Sequence, residues 1–201
     1  MSLTEALLWY GLAWIGFGAG HSLLSGETLK KPFGAWYRVA FNTIAILHIL
    51  AVYALGRWLF EAAPALDWPR GSGMLLWALH MTGWGLMVYA LTGYDLGRLG
   101  GLSQVAAARR GENAPDDEPL RRDSLHRYVR HPLYAAGFLI LWGGVHDWMH
   151  LATAFWGSAY LIIGSGFEER RLLRLYGEPY AAYRRRVPAF LPWKGRAWST
   201  E

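Results

Sequence analysis

The 201-residue sequence predicts an all-α integral membrane fold: five transmembrane helices, a cytoplasmic connector and C-terminal amphipathic helices. Three observations lead there. Five apolar runs approach the ~20 residues that a helix needs to cross hydrocarbon. No stretch alternates strand and helix patterns as an α/β domain does. The cations fall almost wholly on one side of the resulting topology. With 53% apolar residues, the apolar mass suits one bundle, so a single membrane domain over 1–201 is expected. It divides into a three-span part (1–93), a connector (94–130) and a last hairpin with closing helices (131–201).

The first three spans are Leu7–Leu24, Val39–Leu59 and Met74–Leu91. No Lys or Arg precedes Lys30 and no small-residue cleavage signature follows the first run, so that span is expected to stay as an anchor. The glycines from Gly16 to Gly20 lie inside it with no strand before them; they read as a close helix contact rather than a nucleotide loop. The connector reads as a weak helix over Leu102–Arg110, an acidic turn over Gly111–Pro119 and a basic approach to the next span. Pro132–Val145, a short fourth span, and Trp148–Phe167 follow, joined by His146-Asp147 as a tight corner. Glu168–Tyr176 should carry the fifth helix into the cytoplasm and Gly177 should stop it. Pro179 should open another helix to about Arg186, ended by Val187-Pro188.

With the N-terminus outside and the C-terminus cytoplasmic, every one of the 20 Lys and Arg except Arg57 and Arg70 lies on the inner side, as expected for a bacterial inner membrane. This accounts for the net charge of +5 without nucleic acid. The absence of cysteine excludes disulfides, thiolate-held metal and a cysteine nucleophile.

Chemistry concentrates in two segments. Arg130-His131-Pro132 sets a guanidinium, an imidazole and a helix-opening proline at the mouth of the fourth span. There, free backbone N–H groups can hold a carboxylate, or the arginine simply snorkels. Glu168-Glu169 follows the last span; two carboxylates at a membrane edge need a partner, either a cationic ligand or Arg171 and Arg174 along the same helix. Tyr180 and Tyr183, three apart and near Tyr176, either line one face or anchor the interface.

Arg130, His131, Pro132, Tyr134, then Glu168, Glu169, Leu172, Tyr176, Gly177, Tyr180, Tyr183, Val187 and Pro188 resemble the signature of a membrane methyltransferase superfamily: isoprenylcysteine carboxyl methyltransferases, phospholipid methyltransferases and NnrU-like proteins. Upstream, His21-Ser22-Leu23-Leu24, Tyr37-Arg38 with Asn42, Tyr94-Asp95-Leu96 and Gly101-Leu102-Ser103-Gln104 are most similar to NnrU-like proteins and methanethiol S-methyltransferases. Two positions depart: Ala136 replaces an expected glycine, and Ser124-Leu125-His126 replaces a Gly-x-Tyr. The resemblance implies an S-adenosyl-L-methionine-dependent methyltransferase without a Rossmann domain. It implies cofactor contacts from Gln104, His126, Tyr128, His131, Pro132, Tyr134, Glu168, Glu169, Tyr180 and Tyr183, and catalytic roles for His21, Arg130 and Glu169. Aromatic faces and carboxylates would favour the sulfonium, and alignment for in-line displacement would supply most of the catalysis. The acceptor leans to a small thiol, with a prenylcysteine carboxylate or phospholipid amine as alternative. Membrane lipids are the other expected partner, nucleic acid is not one, and the oligomeric state is left open.

A haem-binding or redox protein is the alternative of another class. His21, His48 and His80, one in each of the first three spans, sit too unevenly in depth for one ligand set, so no metal is expected. His146 and His150 at the corner could take a stray ion or stand as a solvated pair.

Overall fold

The computed structural model describes residues 1–112 and 119–198, and every regular element among them is helical. The acidic turn expected over Gly111–Pro119 falls, apart from its ends, outside those residues. The α-helices are α1 (Leu3–Leu24), α2 (Glu27–Phe33), α3 (Tyr37–Leu59), α4 (Ser72–Leu91), α5 (Leu96–Gly100), α6 (Leu102–Arg109), α7 (Pro132–Gly143), α8 (Trp148–Tyr176) and α9 (Glu178–Arg186). Two stretches, Lys30–Leu59 and Ser72–Leu91, are long and apolar enough to cross a membrane, and α7 is apolar but shorter. The chain groups into two units, 1–65 with 94–118 and 66–93 with 119–201.

In the first unit α1 packs on α3 through aromatic edges. Tyr10, fully buried, meets Phe60 at 5.6 Å, and Phe17 meets His48 at 5.3 Å. Several upstream motif residues act here as caps and spacers. The Tyr37 hydroxyl donates to Leu24 O at the end of α1 (2.7 Å), and Asn42 Nδ2 donates to Leu99 O in α5 (3.0 Å). Asp95 caps α5 by accepting from Arg98 N at 2.9 Å. Gly101, at φ +94°, sits where a Cβ would strike the backbone of Val39, so the α5–α6 turn closes against the start of α3 only with glycine.

In the second unit α4 lies on α7 at glycine distance. A Cβ on Gly83 would meet Ile140 N at 2.7 Å, and one on Gly143 would collide with the backbone of His80 and Leu76. His80 accepts from Trp84 Nε1 on Nε2 (3.0 Å), which places its proton on Nδ1, donated to Ile140 O (2.9 Å). One ring nitrogen thus bridges to α7 while the other holds Trp84 along α4. Asp147 turns the chain into α8 as N-cap, accepting from His150 N at 2.8 Å. Helix α8 runs unbroken through Glu168 to Tyr176, where Gly177 at φ +59° ends it and opens α9.

Outward-facing Leu8, Trp9, Leu12 and Ile15 on α1, Leu47, Leu50 and Trp58 on α3, and Leu75, Trp77 and Val88 on α4 give these helices apolar exteriors. Such faces suit lipid better than water.

Candidate active site

The site assembles where α7 begins, α8 leaves the apolar region and α9 folds back. Pro132 takes the first helical position of α7, and His131 is its N-cap with extended φ and no capping side-chain bond. Just before it, Arg130 N donates to Pro188 O (2.9 Å) and His131 N to Ala189 O (3.0 Å), while Ala197 N donates to Arg127 O (2.9 Å). The segment after α9 is therefore stapled along residues 127–131. These pairings bring the Arg-His-Pro and Val-Pro motifs into one place.

Glu169, which is 9% exposed, is the hub. Arg130 Nε donates to Glu169 Oε1 at 2.8 Å, with Nη2 on the same oxygen; His131 Nε2 lies 3.1 Å from it, and Arg184 Nε lies 3.0 Å from Oε2. Arg130 Nη1 also donates to the carbonyls of Arg184 and Val187, which fastens the end of α9. Glu168, more open, lies 3.5 Å from His131 Nδ1 and accepts from the Tyr134 hydroxyl. The His131 ring stacks on Tyr134 at 5.3 Å, and Phe190 lies on it at 5.7 Å.

The electrostatics follow from this packing. Burial alone would raise the Glu169 carboxyl, but the hydrogen bonds from His131 and Arg130 and the guanidinium charge outweigh it and bring its pKa to about 2. Burial alone would lower His131, yet the hydrogen bonds and charges of Glu168 and Glu169 hold it above its ordinary value. Glu168 is held below the ordinary range, since His131, Tyr134 and Arg171 outweigh its burial. His126 goes the other way: burial and then Arg121 push it down to about 4, so it is neutral near pH 7.

Tyr180 and Tyr183, each 1% exposed, form a core with Val187 under α9, against Leu172, Leu173, Tyr176 and Trp198. They are buried rings and not interfacial anchors. The Tyr183 hydroxyl donates to His126 O at 2.7 Å. The Tyr180 hydroxyl is buried, finds no acceptor for its proton among the described residues, and is pushed up to about 12 by burial and the nearby Glu169 charge, against the opposing pull of the Arg130 guanidinium. A neutral donor is left without an acceptor beside a charged cluster. This orphaned group, the carboxylate of Glu168 and the aromatic faces fit a cationic, polar cofactor.

The structure brings together Arg130, His131, Pro132, Tyr134, Glu168, Glu169, Tyr180 and Tyr183 of the sequence-based set, with His126 attached through its carbonyl. Tyr128 is exposed in the following loop. His21 and Gln104 belong to the first unit. There, His21 packs on Phe41 at 4.7 Å, and buried Gln104 donates to Arg98 O at 3.1 Å while its Oε1 has no partner among the described residues. Two alternatives are decided. Glu169 pairs across to Arg130 and Arg184 while Glu168 keeps the attraction of Arg171 along its own helix, and Arg130 turns inward to Glu169 and does not snorkel. Arg184 and Phe190 join this cluster without having been singled out in the sequence. The run Arg184-Arg185-Arg186 reads as topology, and only Arg184, one residue past Tyr183, turns toward Glu169.

Curated proteins longer than this one match along nearly the whole chain. A methanethiol S-methyltransferase of Mycobacterium tuberculosis is 30% identical over 191 residues, covering 90% of this chain and 75% of its own length. Methanethiol S-methyltransferase 2 of Bradyrhizobium diazoefficiens is 32% identical over 198 residues, covering 95% and 75%. The enzyme of that name from Pseudomonas deceptionensis is 28% identical over 185 residues, covering 88% and 69%. No family model matches the sequence, and no solved structure does. On identity and coverage together, the chain belongs to the methanethiol S-methyltransferase family and is a methyltransferase.

Proposed function

We propose that this enzyme is a five-span protein of the bacterial inner membrane, N-terminus outside and C-terminus cytoplasmic, working as one domain over 1–201. It moves a methyl group from S-adenosyl-L-methionine to a small thiol of the methanethiol class. The acceptor follows the activity for which the relatives are named. The cofactor site rests on one observation: the buried Tyr180 hydroxyl, whose proton has no acceptor among the described residues, beside the Arg130–Glu169–His131 cluster.

When bound, the cofactor supplies an electrophilic methyl on a sulfonium sulfur. Glu169 is engaged by Arg130, His131 and Arg184, so in this reading it holds the frame and leaves direct contact to its neighbours. Glu168 offers its carboxylate to an ammonium or to ribose hydroxyls, Tyr180 offers a hydrogen bond, and the His131 and Tyr134 rings offer stacked aromatic faces. Arg130 and Pro132 fix the helix start on which these groups stand. A thiol acceptor reacts as its thiolate, so one proton leaves sulfur before the carbon–sulfur bond forms. His126 and Tyr128 are proposed as contacts on the adenine side.

The test is transfer of isotopically labelled methyl from the cofactor to a panel of methanethiol, prenylcysteines and phospholipids, together with calorimetry of S-adenosylhomocysteine. Label is expected in dimethyl sulfide, and Tyr180→Phe is expected to weaken product-cofactor binding by about 0.5–1.5 kcal/mol. Label appearing in a prenylcysteine or lipid instead refutes the acceptor. Unchanged binding in Tyr180→Phe refutes the site.

A further inference from the structure

The corner between α7 and α8, at the opposite end of α7 from Arg130, carries a second constellation that methyl transfer does not use. We propose that His146, Asp147 and His150 bind one divalent transition-metal ion of the imidazole-preferring class, Zn2+ or Cu2+. One donor atom from each of the three lies within 4.8 Å of the others. His146 Nε2 is 3.6 Å from Asp147 Oδ2, close to the ~3.3 Å between two ligands of one tetrahedral ion at metal–ligand distances of ~2.0–2.1 Å.

Outer contacts already orient this set. His146 Nδ1 lies 2.8 Å from Gly144 O, which only accepts, so the proton of the neutral ring sits on Nδ1. Its Nε2 lone pair is then turned toward a carboxylate oxygen. A cation between these two acceptors would satisfy both, and a backbone carbonyl behind the imidazole is the usual second partner of a metal-bound histidine. Asp147 is held by the first turn of α8, accepting from His150 N at 2.8 Å, with His150 Nδ1 2.7 Å from the same oxygen. On binding, the His150 proton moves from Nδ1 to Nε2, and Nδ1 and Asp147 Oδ1 part from 2.7 Å to the ~3.3 Å of two ligands on one ion. Two imidazoles and one carboxylate favour a late transition metal over Ca2+ or Mg2+.

The remaining coordination position has room. A cavity of about 430 Å3, lined by Trp68, Leu76, Trp77 and Val145, opens onto His146 and His150, and a water molecule fits it easily. His80 also lines the cavity but spends both nitrogens on Ile140 and Trp84, so the set stays at three protein ligands. The 12 residues of α7 span about 18 Å at 1.5 Å per residue, so an ion here is too far from the Arg130–Glu169 cluster to act on the methyl group.

The experiment uses full-length protein purified in detergent without a polyhistidine tag and stripped by chelator. Zn2+ is titrated by calorimetry, and Co2+ serves as an absorbing probe. The expected result is one saturable Zn2+ per chain, tetrahedral Co2+ bands and a metal-dependent rise in Tm. His146→Ala removes an exposed ligand, and Asp147→Asn keeps the helix cap while removing the charge. Each should weaken binding at least ~10-fold. Absence of saturable binding in the wild type, or affinity within twofold of it in either variant, overturns the proposal.

Discussion

Replacing Glu169 with glutamine keeps the shape of the hub and removes its charge. The Arg130 side chain is 11% exposed, so it would be left as a buried cation without its carboxylate. Breaking a buried ion pair from one side costs about 3–5 kcal/mol. Arg184, with 48% of its side chain exposed, adds at most about 1 kcal/mol because water screens it. At 2–4 °C per kcal/mol for a chain of this size, the expected fall in Tm is roughly 6–24 °C. The assay is thermal unfolding in detergent followed by circular dichroism, for Glu169→Gln, Arg130→Gln and the pair together. Because each single variant strands the other partner, the double variant should cost at least ~2 kcal/mol less than the sum of the singles. Additive losses, or a fall in Tm below ~3 °C for Glu169→Gln, would refute the hub as the fastening of this site.

Two further outcomes follow from the geometry. Glu169 titrates at about 2 against an ordinary 4.5, so its stabilisation is complete above the higher value and fades as pH falls toward the lower. His131 is raised above 6.5, so its contribution is complete below that value and is lost as pH rises through its folded-state pKa. These two groups alone would hold stability level between about pH 4.5 and 6.5, but His126, lowered to about 4, is neutral in the fold and takes stability away as pH falls from 6.5 toward 4, so melting should show the maximum near pH 6.5, and His131→Gln should remove the alkaline decline. Separately, Gly143→Ala should destabilise by about 1–3 kcal/mol by forcing α7 off the backbone of His80 and Leu76. Gly85→Ala, which meets nothing within 4 Å, should stay within about 0.5 kcal/mol of wild type in the same melts.

Helix existence was legible because apolar length and punctuation act locally. Gly177 and Pro179 stop one helix and start the next within a residue of where the sequence places them. The short helices α2 and α5 were missed, since five to seven residues carry too little periodicity to register. Within the site, the clustering of His131, Glu168, Glu169 and Tyr180 was foreseeable from motif order, but its internal wiring was not. Which of several arginines answers Glu169 depends on how α9 folds back, and that is set by the backbone bonds of Pro188 and Ala189, which leave no mark in residue type. Likewise, Tyr37, Asn42 and Gly101 drew notice as motif residues, whereas the structure gives them capping and spacing work.

The staple between residues 127–131 and the segment after α9 has a consequence for biogenesis. The Arg130–Val187 bond joins residues 57 apart in the chain, so a ribosome adding ~5–20 residues per second takes roughly 3–11 s to make the second half after the first. Throughout that delay α7 is already made while its entrance lacks the carbonyls that later fasten it. Nascent chains arrested before Val187 should thus be protease-sensitive at this entrance, with maturation governed by the last stretch to emerge.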